Sequence, residues 1–187
     1  MRRVLLSLLL FSLSIINVYA QQVSYVTVNN VYNKIIDAIG NNNPRAPKLH
    51  FVDSESEPAS YNPEAKIIAV ENKVLKVCYL FGPDSLNALS YILAHELGHH
   101  YRNHGWMSHY SSFEFSSPLN KQNETPIQRE AYEVEADIYA GFYSHLAGFD
   151  ALKVADVFLD SIYNSYSFRP DLENYPTLNE KIGRAHV

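Results

Sequence analysis

Apolar residues at Val28, Val31, Tyr32, Ile35, Ile36 and Ile39 recur at helical spacing and Gly40 closes the run, predicting a helix from Val28 to Ile39. Asn41-Asn42-Asn43-Pro44 then reads as a turn. Lys48 to Ser54 and Ala65 to Val70 read as short strands, with Tyr61-Asn62-Pro63 turning between them, and Lys73 to Phe81 reads as a short helix. Asp84, after Gly82-Pro83, stands where an N-cap would open a helix from Ser85 to Arg102. Leu86, Leu89, Ile92, Leu93 and Leu97 cover most of its circumference, so burial is expected nearly all round. Pro126 starts another helix, which runs to Leu146 before Gly148 stops it. Ala151 to Tyr166 reads as an amphipathic helix with Leu152, Ala155, Val157, Phe158 and Ile162 as its apolar positions, broken by Arg169-Pro170.

The long segment from Gly105 to Thr125 is rich in serine and carries Trp106, Tyr110, Phe113 and Phe115. Loops of this length in a compact domain are usually functional or mobile. These aromatics either gate a cleft and line a side-chain pocket or fold back over the core, and the pattern leaves both open.

The chemistry lies in the buried helix. His95-Glu96-Leu97-Gly98-His99 puts two imidazoles four residues apart, hence on one helix face, where they can converge on one metal ion. Glu96 sits one step round from His95, where a carboxylate can serve as general base toward a metal-activated water. Such groups on a buried helix need partners, because unpaired buried polar groups are costly, and a zinc ion satisfies them. One large group of zinc proteases places a glycine three residues after the second His and a third His three residues later. Here those positions hold Arg102 and Gly105, and His104 misses the register by one residue. The alternative is a carboxylate from a second helix. Glu133 and Asp137 are four apart on one face of the downstream helix, whereas Glu135 points elsewhere. Glu133 can complete a His-His-Glu set, and Asp137 can hydrogen-bond a ligand imidazole and fix its tautomer. His100, His104 and His109 are read as structural, with His100 facing away from the metal side.

His95-Glu96-x-x-His99 followed by Glu133-x-x-Ala136-Asp137 resembles the gluzincin peptidases of the HtpX and CAAX prenyl endopeptidase type. The resemblance runs from Asn29 to Ile182. It implies an α+β, zincin-like fold, mainly helical, with a small sheet packed on the active-site helix. It also implies one Zn2+ per chain held by His95, His99 and Glu133. Tyr175-Pro176-Thr177-Leu178-Asn179-Glu180-Lys181-Ile182 matches the register of the family's His-Pro-x-x-x-x-Arg-Ile, with Tyr for His and Lys for Arg. By that match Tyr175, or else Lys181, is the expected oxyanion donor. An edge strand before the active-site helix binds substrate backbone by strand addition in zinc peptidases of this architecture, and Ile67 to Val70 is the expected one.

The two ends add a compartment and a boundary. Met1-Arg2-Arg3, an apolar run from Val4 to Ile16 and small residues before a break after Ala20 describe a secretory signal peptide, residues 1–20, ahead of a metallopeptidase domain at 21–187. The expected location is therefore exported, periplasmic or extracellular in a bacterium. Membrane association is expected only if that segment stays uncleaved. The chain has 15 basic and 20 acidic residues; without Arg2 and Arg3, 13 basic remain and the formal charge is −7, which disfavours nucleic acid as a partner. Cys78 is the single cysteine, expected as a small buried hydrophobe. Ile182-Gly183-Arg184-Ala185-His186-Val187 is what a common sequencing-adapter start encodes in frame. This sequence is thus expected to be truncated near Lys181, with the native chain continuing past it, and His186 is not read as a ligand. The expected activity is zinc-dependent endopeptidase action on a peptide or protein, with Glu96 as general base. The alternative is a non-catalytic, exported, zinc-braced binding module.

Overall fold

The computed structural model describes residues 24–40, 45–53, 57–104, 108–109 and 126–166. The expected signal peptide, the Asn41–Pro44 turn, most of the Gly105–Thr125 segment with its four aromatics, and the stretch holding Tyr175, Lys181 and the adapter-like tail lie outside the described residues. The fold is α+β and mainly helical with a small mixed sheet. Among the described residues no helix is long and apolar enough to cross a membrane.

Helix α1 spans Tyr25–Ile39. Its apolar stripe Val28, Val31, Tyr32, Ile35 and Ile36 is buried, and Gly40 ends it at φ 81°, a left-handed conformation that glycine adopts without steric cost. The helix begins three residues before its first buried stripe residue because the Ser24 side chain accepts from Thr27 N–H and caps it. Strands β1 (Lys48–Val52), β2 (Ala59–Asn62) and β3 (Ile67–Glu71) are followed by helix α2, Asn72–Tyr79. Helix α3, Ser85–Tyr101, runs through the centre, and every residue from Ala88 to His100 on it is buried. It packs most extensively against helix α4, Pro126–Leu146, and also against α1 and β2. The two-residue strand β4 (Ser108–His109) and helix α5 (Ala155–Tyr166) complete the described elements. Cys78 on α2 is wholly buried, as expected, and burial pushes its thiol pKa up.

Four sequence expectations need correction. The sheet order is β1-β3-β2-β4, so Ile67–Val70 is not an edge: β3 pairs parallel with β1 and antiparallel with β2. Both sides of its backbone are engaged by those neighbours, and strand addition there is impossible. Tyr61-Asn62 is not a turn but the end of β2, with Tyr61 opposite Ile68; the turn begins at Pro63, which bounds the strand. Asp84 occupies the N-cap position of α3 but its side chain caps no backbone N–H. It accepts instead from Asn87 and pairs with Lys153, because a 3₁₀ turn at Gly82–Asp84 leads into the helix. Finally, Leu86, Leu152 and Val157 are exposed. Leu86 lies in the first turn of α3 before the helix goes under cover. A 3₁₀ turn at Ala151–Lys153 resets the helical phase, so α5 buries Ala155, Phe158, Leu159 and Ile162 and turns Val157 outward.

Candidate metal centre

Where α3 crosses α4, Gly98 meets Ala136. A β-carbon at Gly98 would lie 3.1 Å from the Ala136 Cα and 3.3 Å from the Tyr139 Cβ. Two small residues thus let the backbones approach closely, with His95 and His99 flanking the crossing on one helix and Glu133 and Asp137 flanking it on the other. The consequence is convergence. His95 Nε2 and His99 Nε2 are 3.1 Å apart, and each is 3.5 Å from an oxygen of Glu133. All three side chains are at most 1% exposed. His95, His99 and Glu133 form a buried group that can hold a metal ion.

Each of the two imidazoles is backed by further groups. His95 Nδ1 lies 2.9 Å from Asp137 Oδ1, which also accepts from the Tyr91 hydroxyl at 3.2 Å. Nδ1–H of His95 donates to the carboxylate, so that the neutral ring would present the Nε2 lone pair toward the centre. On the other side, His99 Nδ1 lies 2.9 Å from His104 Nδ1, and His104 Nε2 lies 3.1 Å from Glu135 Oε2. Arg102 holds the second oxygen of Glu135. The His104 ring, 1% exposed, stacks on Tyr132 with centroids 4.3 Å apart.

The electrostatics follow. Burial lowers the pKa of His95, but hydrogen bonds and charge from Asp137 and Glu133 outweigh it and raise the value from 6.5 to about 9. His104 moves the other way, because burial outweighs the pull of Glu135. Tyr91 is pushed well above its ordinary value by burial and by Asp137. Glu135, despite partial burial, is held below its usual range by His104 and Arg102.

The structure brings His95, His99, Glu133 and Asp137 together. Glu96 follows His95 on α3 and is fully buried. Glu135 stays out of the centre, paired with Arg102 and His104. His100 faces the sheet, its Nδ1 2.8 Å from the Tyr61 hydroxyl. Tyr175 and Lys181, the expected oxyanion donors, lie outside the described residues. Sequence reasoning missed the contact of His104 with His99. Its signal was Asn103 just past the helix end, a residue type that accepts left-handed backbone. Compared with known protein families, curated proteins and solved structures, the chain matches none.

Proposed function

We propose that the chain is an exported zinc-dependent metalloendopeptidase of gluzincin type, with a zincin-like fold. The observation that carries the reading is the buried His95–His99–Glu133 group with a carboxylate, Glu96, beside it on the same helix. Tetrahedral ligand atoms about 2.0–2.1 Å from zinc stand about 3.3 Å from one another. The two Nε2 atoms, 3.1 Å apart, and the 3.5 Å from each of them to a different oxygen of Glu133 are close to that spacing and support a metal such as zinc. The donor set of two imidazoles and one carboxylate is of the kind catalytic zinc uses. His95, His99 and Glu133 would hold the zinc, which would supply Lewis acidity toward a water and a peptide carbonyl.

The residues of this chain divide the remaining work. His95 and His99 present their Nε2 lone pairs, fixed by hydrogen bonds at Nδ1. The Glu96 carboxylate takes a proton from the attacking water and passes it to the leaving amine. The proposed oxyanion donor is Tyr175 or Lys181, from the register of the third motif. Export rests on the basic start and apolar run of residues 1–20, and the acidic remainder of the chain suits a peptide or protein substrate rather than nucleic acid.

A second reading, a zinc-braced binding module without catalysis, is favoured by the near-total burial of all three ligands. One experiment separates them. Peptide cleavage by the purified chain should be blocked by a chelator and restored by zinc. Glu96→Gln should abolish cleavage, by about 10²–10⁴-fold, while zinc content stays at one per chain. Glu133→Ala should lose the metal. A zinc-loaded chain that cleaves no peptide supports the module, and full activity in Glu96→Gln sinks the mechanism.

A further inference from the structure

Helix α3 ends in a way that returns the chain to its own metal-binding face. Asn103 has φ 56°, in the left-handed region that asparagine tolerates better than most residues. Asn103 N–H donates to the His100 carbonyl and His104 N–H to the His99 carbonyl. This is the Schellman pairing, in which the second residue past the helix end folds back beside a residue of the last turn. That motif usually brings two apolar side chains into contact. Here the two positions hold His99 and His104, and their rings meet at Nδ1–Nδ1, 2.9 Å.

Only one assignment of protons suits this chain of contacts when His99 Nε2 faces a metal. His99 is then neutral with its proton on Nδ1, which donates. His104 Nδ1 must accept, so the His104 proton sits on Nε2 and donates to Glu135 Oε2 at 3.1 Å. Glu135 is a carboxylate anchored by Arg102. His95 is backed directly by Asp137, whereas His99 is backed by Glu135 through an intervening imidazole.

We propose that His104 is a positioning residue for the metal centre, fixing the tautomer and ring angle of His99 and relaying the negative charge of Glu135 to it. The proposal rests on the metal-holding role of His95, His99 and Glu133 and not on proteolysis. Loss of a hydrogen-bond partner behind a ligand histidine typically costs 10–100-fold in metal affinity.

The test reads zinc affinity of the full chain by chelator competition, first in the unaltered protein. His104→Phe keeps a flat ring against Tyr132 but removes the acceptor, and is expected to weaken zinc binding about 10–100-fold. His104→Asn returns an acceptor oxygen near the place of Nδ1 and is expected to recover most of that loss. Equal affinity in the unaltered chain and in His104→Phe overturns the proposal, as does a loss that Asn does not relieve. No zinc binding by the unaltered chain overturns the metal reading itself and the proposal with it. A measurement that needs no variant stands beside these. Long-range ¹H–¹⁵N NMR of the zinc-loaded chain should show His99 protonated at Nδ1 and His104 at Nε2. A proton on His104 Nδ1 overturns the assignment.

Discussion

Gly98 and Ala136 are the contact point of helices α3 and α4, with less room at Gly98 than a methyl group ordinarily takes. A β-carbon there would stand 3.1 Å from the Ala136 Cα, a backbone atom that cannot swing aside as a side chain can. The helices would have to separate by a few tenths of an ångström, and Glu133 would move with α4 relative to His95 and His99. Gly98→Ala is therefore expected to lower stability by about 1–3 kcal/mol even though alanine is the better helix former. It should weaken zinc binding as well. Urea denaturation and a zinc titration on the same variant check both, and a more stable variant with unchanged affinity would show that the crossing has slack.

Asp137 accepts from His95 Nδ1 and from the Tyr91 hydroxyl, and so orients a candidate metal ligand. In Asp137→Asn the shape is nearly kept but the negative charge behind His95 is gone. Zinc affinity is expected to fall about 10–100-fold with the fold intact, measured by chelator competition alongside circular dichroism. An unchanged affinity would mean that packing alone holds the His95 ring.

His95 is expected to make the stability of the metal-free chain and of a zinc-loaded chain respond oppositely to pH. Its pKa in the folded, metal-free chain is raised from 6.5 to about 9, the burial penalty being outweighed by Asp137 and Glu133. The folded state holds that proton more tightly than the unfolded one. The stabilisation is therefore complete below 6.5 and is lost as pH rises through about 9. With chelator present, the urea midpoint should fall across that window. With zinc bound at Nε2 the proton is excluded, so the His95 dependence disappears and acid, which competes for the ligands, becomes the destabilising direction. Urea titrations at both ends of the window, with and without zinc, test the sign.

Much of this is legible in the sequence. The spacing of His95 and His99, and of Glu133 and Asp137, follows from the 3.6-residue turn, because neighbours four apart on a helix share a face wherever the helix goes. Gly40 and Gly148 marked helix ends through the same local geometry, both sitting at positive φ. The strands were less legible. Ala59–Asn62 is only four residues long between prolines, and its pairing with β3 and β4 is a long-range choice that alternation in so short a stretch cannot announce. The edge assignment of Ile67–Val70 failed for the same reason, since strand order is not a property of any one strand.

The sequence by itself determined which residues are of a type that can ligate a metal and which helix face each occupies, because helical periodicity is local and every needed neighbour lies within one turn. Only the tertiary structure decided that the two faces meet, through the backbone approach at Gly98 and Ala136, and that His104 stands behind His99. Those relations depend on interhelical distance and on one left-handed residue at a helix end, and both are settled by packing of the whole chain rather than by the order of its residues.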